Sequence, residues 1–290
     1  MTAQGEPAKR LRVLLSAFPE RYALPGRPAN APPIVQDAHR QTQFLLGTEL
    51  ALFERAMNHQ LHVVAANAKV RTAPAAALVA LWSRVYSGLA DTCQIMSLGS
   101  YVSCPPLLRT SLDCLAAEKS LIADGFAEFE QWLGRAFSLE RSHAALSIEL
   151  GRFRAGSVLA GDDRLGFLYR LLTEFSMPHF GATTLQVAPE SGLSRLALTF
   201  GDQAFHLAWA ELITGWLLQI AEAQVHTLAL SGVFHFGDEL RTEFELLARD
   251  LEEVAQSAGR RRCYVEEVDG RFLLHNFRRT PAAQPRRIEL

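Results

Sequence analysis

A mainly α-helical, multi-helix bundle is the fold class this sequence predicts, and three observations lead to it. Apolar side chains recur at three- and four-residue intervals through at least five long segments, which is the period of a helix with one buried face. Prolines and glycines fall between those segments or at their first turns rather than inside them. Of the 290 residues, 49% are hydrophobic and 21% charged, an ordinary composition for a chain with a substantial packed core.

Residues 1–33 carry Pro7, Pro19, Pro25, Pro28, Pro32 and Pro33, and so many missing backbone donors forbid a continuous helix. A flexible N-terminal arm is expected there, followed by a single helical domain over 34–278 and a flexible C-terminal tail over 279–290. The first helical pattern runs from Ile34 to about Val70 through Phe44, Leu45, Leu52, Phe53, Met57, Leu61 and Val64, with Gly47 placed to bend it. Pro74 sits where a helix tolerates proline, at its start, and leads the stripe Leu78, Leu81, Trp82, Val85, Leu89 and Met96. Pro105 and Pro106 open the next helix, which carries Leu108, Ser111, Leu112, Leu115 and Ile122 to Gly125. Helices over 126–153 and 162–175 follow, the second with Asp162 or Asp163 as cap.

Between 184 and 200 the period shortens to two. Leu185 and Val187 precede a Pro-Glu-Ser-Gly turn, and Leu196, Leu198 and Phe200 follow it, so a hairpin is expected at about 184–200. The helical period returns from Asp202 to Leu230 with Phe205, Trp209, Leu212, Trp216 and Ile220, which predicts a central helix, and a more polar helix covers 238–257. A second hairpin is expected at about 262–277, because Asp269-Gly270 separates two short apolar runs.

Charge and motifs narrow the function classes. With 29 basic and 31 acidic residues the formal charge is −2, so nucleic acid is possible as a partner but not indicated by net charge. No apolar window reaches the roughly 18 residues of a membrane span, and Val13 to Phe18 is too short for a secretion signal, so no membrane association and a cytoplasmic location are expected. Four cysteines without a CxxC pair point to reduced thiols. No nucleotide-binding glycine pattern, nucleophile elbow or zinc-protease motif occurs, and no cofactor and no metal are expected.

Several constellations could still carry chemistry. Glu140 and His143 have the Glu-x-x-His spacing of one quarter of a di-iron site, against the alternative of a solvated helix face. Glu222 with His226, and Arg55 with His59, are one helical turn apart and read as exposed pairs. Arg260 to Arg262 and Arg278, Arg279, Arg286 and Arg287 flank the C-terminal hairpin, where they would meet RNA or an acidic partner, or simply guard a solvated strand edge. Trp82, Trp209 and Trp216 could enclose an apolar pocket for a small molecule, or be plain core. Arg109 and Asp113 are i, i+4 neighbours at the margin of the Leu108–Leu112 stripe, where each charge needs the other to offset desolvation.

Arg55 and His62, with six residues between them, resemble the Arg and His that HEPN-type bundle ribonucleases place beside a phosphate, with Ala56 where that class usually has a polar side chain. The stretch Leu107-Leu-Arg-Thr-Ser-Leu-Asp113, taken with Tyr169 to Ser176 and His179, resembles a family of uncharacterised bacterial all-helical proteins grouped with HEPN-like bundles. In that family a Leu-Leu-Arg-Ser-x-x-acid helix accompanies a Tyr-x-x-x-Ser-x-x-x-His segment. The likeness spans residues 101–179; Thr110 replaces the commoner serine, Asp113 the commoner glutamate, and the tyrosine-to-serine spacing is longer. It implies that Arg109, Asp113, Ser176 and His179 form one polar cluster, and it brings no established activity. The expectation is a helical interaction module with a protein partner or a homo-oligomeric state; a ribonuclease or nucleotide-binding protein and a small-molecule binder are the alternatives.

Overall fold

A computed structural model describes residues 17–130, 155–178, 180–191, 194–258 and 262–290, and these are mainly helical with one small antiparallel sheet. The expected helix over 126–153 is described only at its start, where Glu130 N–H bonds to Phe126 O; its remainder, with Glu140 and His143, lies outside the described residues.

Residues 17–32 form no helix, as their prolines require, yet they are anchored rather than loose, while residues 1–16 of the expected arm lie outside the described residues. Asn58 accepts from Tyr22 N–H at 2.9 Å and donates to Tyr22 O at 3.0 Å, while the buried tyrosine ring stands edge-on to Phe53 and Tyr86. Side-chain amides thus do for this irregular stretch what a ladder does for a strand.

Helix α1 (Pro33–Leu45) and helix α2 (Gly47–Ala66) are separated by Leu46, whose φ of −120° and ψ of 20° break the helix at the expected bend. Thr72 caps α3 (Ala73–Ser97), accepting from Ala75 N–H at 3.3 Å. Its buried stripe Leu78, Trp82, Val85, Leu89, Cys93 and Met96 faces inward. Helix α4 (Cys104–Ala123) returns antiparallel after a 3-10 turn (Tyr101–Ser103), and α3 approaches it so closely that a Cβ on Gly88 would lie 2.3 Å from Ser111 Oγ. A side chain at position 88 would force the Ser111 hydroxyl to turn away from its bond to Leu107 O.

Two short helices, α5 (Ala155–Leu159) and α6 (Asp163–Ser176), pack on α4, and Asp162 caps α6 by accepting from Leu165 N–H. The expected hairpin at 184–200 is not formed. Phe180–Val187 is a helix, α7, and residues 194–200 run back past its end, where Thr199 N–H bonds to Val187 O at 2.8 Å. Leu185 and Val187 are too few to distinguish a period of two from one of 3.6, and the helix wins because Leu185 then reaches the core.

Helix α8 (Leu207–Leu230) is the central rod, buried on nearly every side and flanked by α2, α3, α4 and α9 (Asp238–Ala258). Its first two N–H groups, Leu207 and Ala208, bond to the carbonyls of Arg279 and Arg278, so backbone following the sheet closes the helix end.

Strands β1 (Tyr264–Val268) and β2 (Arg271–Phe277) form the expected C-terminal hairpin. Asp269 and Gly270 both adopt positive φ, 52° and 75°, as a two-residue turn of this type demands. The tail expected to be loose instead adds β3 (Arg286–Glu289) on the other edge of β2, order β1-β2-β3. Its alternation is hidden by polarity, because Arg286 is inward-facing while only Ile288 and Leu290 contribute apolar contact. No described helix is long and apolar enough to cross a membrane.

Candidate functional site

Helix α4 aligns Arg109 and Asp113 on one flank, and α6, packed across it, delivers Tyr169. Arg109 Nη2 lies 3.6 Å from Asp113 Oδ1 and donates to Tyr169 Oη at 2.5 Å, with the guanidinium 4.4 Å from the tyrosine ring centroid. The pairing of Arg109 with Asp113 is the one the i, i+4 spacing predicts. Burial raises the Asp113 pKa, against the opposing pull of Arg109 and of the Tyr169 hydroxyl. Arg109 Nε is also buried and has no hydrogen-bond partner. Gly156 of α5 also packs on this ring, where a Cβ would meet Tyr169 Cε1 at 3.2 Å.

Ser176 does not join this group. Its hydroxyl donates to Leu172 O of its own helix at 2.6 Å, and it stands two turns, roughly 10 Å, beyond Tyr169 along α6. His179 lies outside the described residues. The third member of the cluster is therefore Tyr169, the first residue of the motif that suggested Ser176 and His179.

Arg55 and His62 project from α2 toward α9, and each meets a carboxylate there. Arg55 Nη1 is 2.6 Å from Asp250 Oδ2, and His62 Nδ1 is 3.2 Å from both oxygens of Glu243. His59, expected as an exposed partner of Arg55, is instead fully buried, with Nδ1 3.0 Å from Glu243 Oε2 and its ring stacked on Phe244. Burial lowers the His59 pKa despite the nearby carboxylate. Glu243 is partly buried, which would raise its pKa, yet His59 and His62 together bring it down. Glu222, expected beside His226, pairs with Arg164 of α6 instead, while His226 lies against Phe244.

Of the basic residues around the sheet, Arg262, Arg279 and Arg286 are committed inward, Arg287 is exposed, and Arg260 and Arg261 lie outside the described residues. Arg262 pairs with Glu49, a buried carboxylate on α2. Arg279 faces Glu190 at 3.6 Å and Asp202 at 3.7 Å, and Arg286 donates to the carbonyls of Pro189 and Ser191. Arg279 and Arg286 brace the 188–203 segment against the sheet rather than lining a solvated edge.

Two buried groups carry no sequence signal. Glu118, on the α4 face opposite α6's partners, is fully buried against α8, where Gln224 Nε2 donates to its Oε2 at 2.6 Å. Burial lifts its pKa well above the ordinary range, more than the Gln224 hydrogen bond lowers it, and neither Glu118 Oε1 nor Gln224 Oε1 has a partner among the described residues. His206, at the start of α8, packs on Phe277 with neither ring nitrogen bonded; burial first, then Arg279 and Arg286, depress its pKa to about 3.

Trp82, Trp209 and Trp216 are core: Trp82 donates to Gln60 Oε1 at 2.7 Å and abuts Phe234, and the other two enclose Phe175. An open groove of about 720 Å³ lies elsewhere, beside α1, between Arg27, Gln36, Asp37, Arg40 and Phe44. The four cysteines are buried and unpaired, and burial pushes the Cys93 thiol up to about 11. Among the described residues no group of three or more His, Cys, Asp or Glu is arranged to hold a metal ion.

One surface stands apart from these polar clusters. Val102, Met177, Phe180, Leu196, Leu198 and Phe200 are all largely exposed, and their segments are neighbours. Helix α7 packs on the 3-10 turn that carries Val102, Thr199 bonds to the end of α7, and Gln203 Nε2 donates to Ser100 Oγ at 3.2 Å. Six large exposed apolar side chains thus sit on adjoining segments, a concentration of the kind that marks interaction surfaces. Compared with protein-family models, curated proteins and solved structures, the chain matches none of them.

Proposed function

We propose that this chain is a helical interaction module whose docking face comprises the 3-10 turn, α7 and the strip 194–200. The carrying observation is the set Val102, Met177, Phe180, Leu196, Leu198 and Phe200, exposed on adjoining segments, whereas the other exposed large apolar residues, such as Phe44 and Leu230, sit on other helices and strands. Leaving that much apolar area in water is unfavourable by about 25 cal/mol per Å², and a partner removes the cost. The polar clusters support the same reading. Arg109 is held by Asp113 and Tyr169, and Arg55 and His62 by Asp250 and Glu243, so each set joins helices. The ribonuclease reading is weaker for that reason: a phosphate would have to displace a carboxylate from both Arg55 and His62.

In an extract of the cells that naturally make it, the chain should sediment as an assembly heavier than its own 32.1 kDa. Replacing Phe180 and Phe200 together by Asp should return it to the monomer mass while leaving thermal unfolding of the purified protein nearly unchanged. A chain that sediments alone in that extract would remove this reading.

A further inference from the structure

We propose that the groove beside α1 binds a small organic anion, an arylalkanoate whose carboxylate and aromatic ring are joined by a short chain. The site is separate from the apolar docking face. At about 720 Å³ it falls within the roughly 300–1,000 Å³ typical of small-molecule sites.

The walls are held in place by their own contacts. Gln36, Arg40, Gln43 and Phe44 recur at helical spacing and line one flank of α1, while Arg27 reaches the groove from the irregular segment that leads into the helix. Gln36 Nε2 donates to Ala29 O at 3.2 Å and to Ala31 O at 2.8 Å, and its Oε1 accepts from Arg27 Nη2 at 3.2 Å. Buried His39 fastens the same segment, with Nε2 3.0 Å from Pro25 O; a carbonyl only accepts, so that nitrogen carries the proton. Binding therefore requires little ordering of the chain.

Two donors in the lining are left over. Among the described residues no carboxylate pairs with Arg27, whose partner is the neutral Gln36 amide. Gln43 Nε2 is shielded from water and has no acceptor. Asp37, the acidic residue of the lining, is already engaged, since its two oxygens accept from Arg40 Nη2 and Gln41 Nε2, each at 2.5 Å. Two guanidiniums against one carboxylate leave a single positive charge, which matches a monoanion. The remaining N–H groups of the planar Arg27 guanidinium suit a carboxylate, whereas Asp37 on the same wall disfavours a doubly charged phosphate.

Phe44 supplies the apolar half of the site. The sequence places it in a stripe with core residues, yet it is 84% exposed and closes one end of the lining. An aromatic ring stacks well on such a surface. Gln36, which holds Arg27, and Phe44 are eight residues apart, about 12 Å along the helix, a span shortened by the lean of helical side chains toward the N-terminus. A carboxylate on Arg27 and a ring on Phe44 thus belong to one molecule only if a few methylenes separate them.

Isothermal titration calorimetry of the full-length protein with 4-(2-naphthyl)butanoate tests the site. A Kd below about 1 mM is expected, with the matching neutral primary amide bound at least about 10-fold more weakly. Arg27→Gln should weaken the carboxylate about 10-fold or more and the amide much less, whereas Phe44→Ala should weaken both. Arg27 and Phe44 are exposed, so neither variant should alter the thermal melt. Phe200→Asp, on the apolar docking face, should leave binding unchanged, and the corresponding alkyl phosphate should bind no tighter than the carboxylate. No heat with carboxylate up to roughly 10 mM, equal affinity for carboxylate and amide, or indifference to Arg27→Gln or Phe44→Ala would each overturn the proposal. Loss of binding in Phe200→Asp would put the probe on the docking face, and tighter binding of the phosphate would make the ligand a phosphate ester; either result also overturns it, and neither bears on whether the docking face takes a partner.

Discussion

Helix α4 holds two acidic side chains, Asp113 and Glu118, little more than one turn apart, and the structure treats them in opposite ways. Asp113 stays half in water beside Arg109 and Tyr169, so its charge has both solvent and a cation to stabilise it. Glu118 is turned toward α8 with only the Gln224 amide for company, and burial favours its neutral acid. A proton on Glu118 would also supply the donor that the unpartnered Gln224 oxygen lacks, which an ionised carboxylate cannot do. Depth in the bundle, not residue type, decides whether a carboxyl on this helix is part of an ion pair or part of the core.

The contrast can be broken most forcefully at Glu118. Glu118→Ala should remove the amide's partner and leave a void, destabilising the fold by about 3–4 kcal/mol in chemical denaturation. Glu118→Gln keeps the shape and should cost less than about 1 kcal/mol at neutral pH. A deep loss in both variants would mean that the ionised form is the one the core requires.

The pH dependence sharpens the same point. Because the folded-state pKa of Glu118 is raised, the unfolded chain releases a proton that the folded chain keeps once pH exceeds the ordinary glutamate value. Its contribution is therefore fully present below about 4.3 and declines by about 1.4 kcal/mol per pH unit above that, until the raised pKa is reached. His206 bends the opposite limb. It is held neutral down to about 3, so stability is lost as pH falls below the ordinary histidine value, where the unfolded chain takes up a proton the folded chain refuses. Equilibrium unfolding measured from pH 4 to 9 should show Glu118→Gln flattening the alkaline side and His206→Phe the acidic side. Unaltered slopes in both would show that neither group is linked to folding.

At the α4–α6 cluster the effects should be smaller. Arg109→Ala should lower stability by about 1–2 kcal/mol and Tyr169→Phe by about 1 kcal/mol, with a coupling near 1 kcal/mol in the double-mutant cycle. Strict additivity would separate the two residues. The smallest change belongs to Arg55→Ala, whose partner Asp250 sits at the surface; below about 1 kcal/mol is expected from thermal melts. A larger loss there would raise the α2–α9 contact to the standing of the α4–α8 one.

Much of the architecture was legible in the sequence because the relevant physics is local. The stripes of α3, α4 and α8, the break at Gly47, and the Asp269-Gly270 turn all follow from side-chain period and backbone sterics within a few residues. Arg109 with Asp113 belongs to the same class, since helix geometry alone brings them together. The misses involve groups that meet across the chain. Tyr169 joins Arg109 from 60 residues away, His59 becomes core because α9 covers α2, and β3 exists because β2 has an edge to share. The 184–200 alternation misled because period two describes a chain with exposed and buried faces without saying which face is which.

On its own, then, the sequence determined the rods, their bends and which stripe of each avoids water, since propensity, proline and glycine sterics and hydrophobic period act along a single segment. Only the tertiary structure decided which carboxyl is buried alone, which arginines are spent as internal braces, and which apolar side chains remain facing solvent. Those outcomes depend on what the neighbouring helix places opposite each residue, and desolvation and charge pairing are properties of that encounter rather than of either segment.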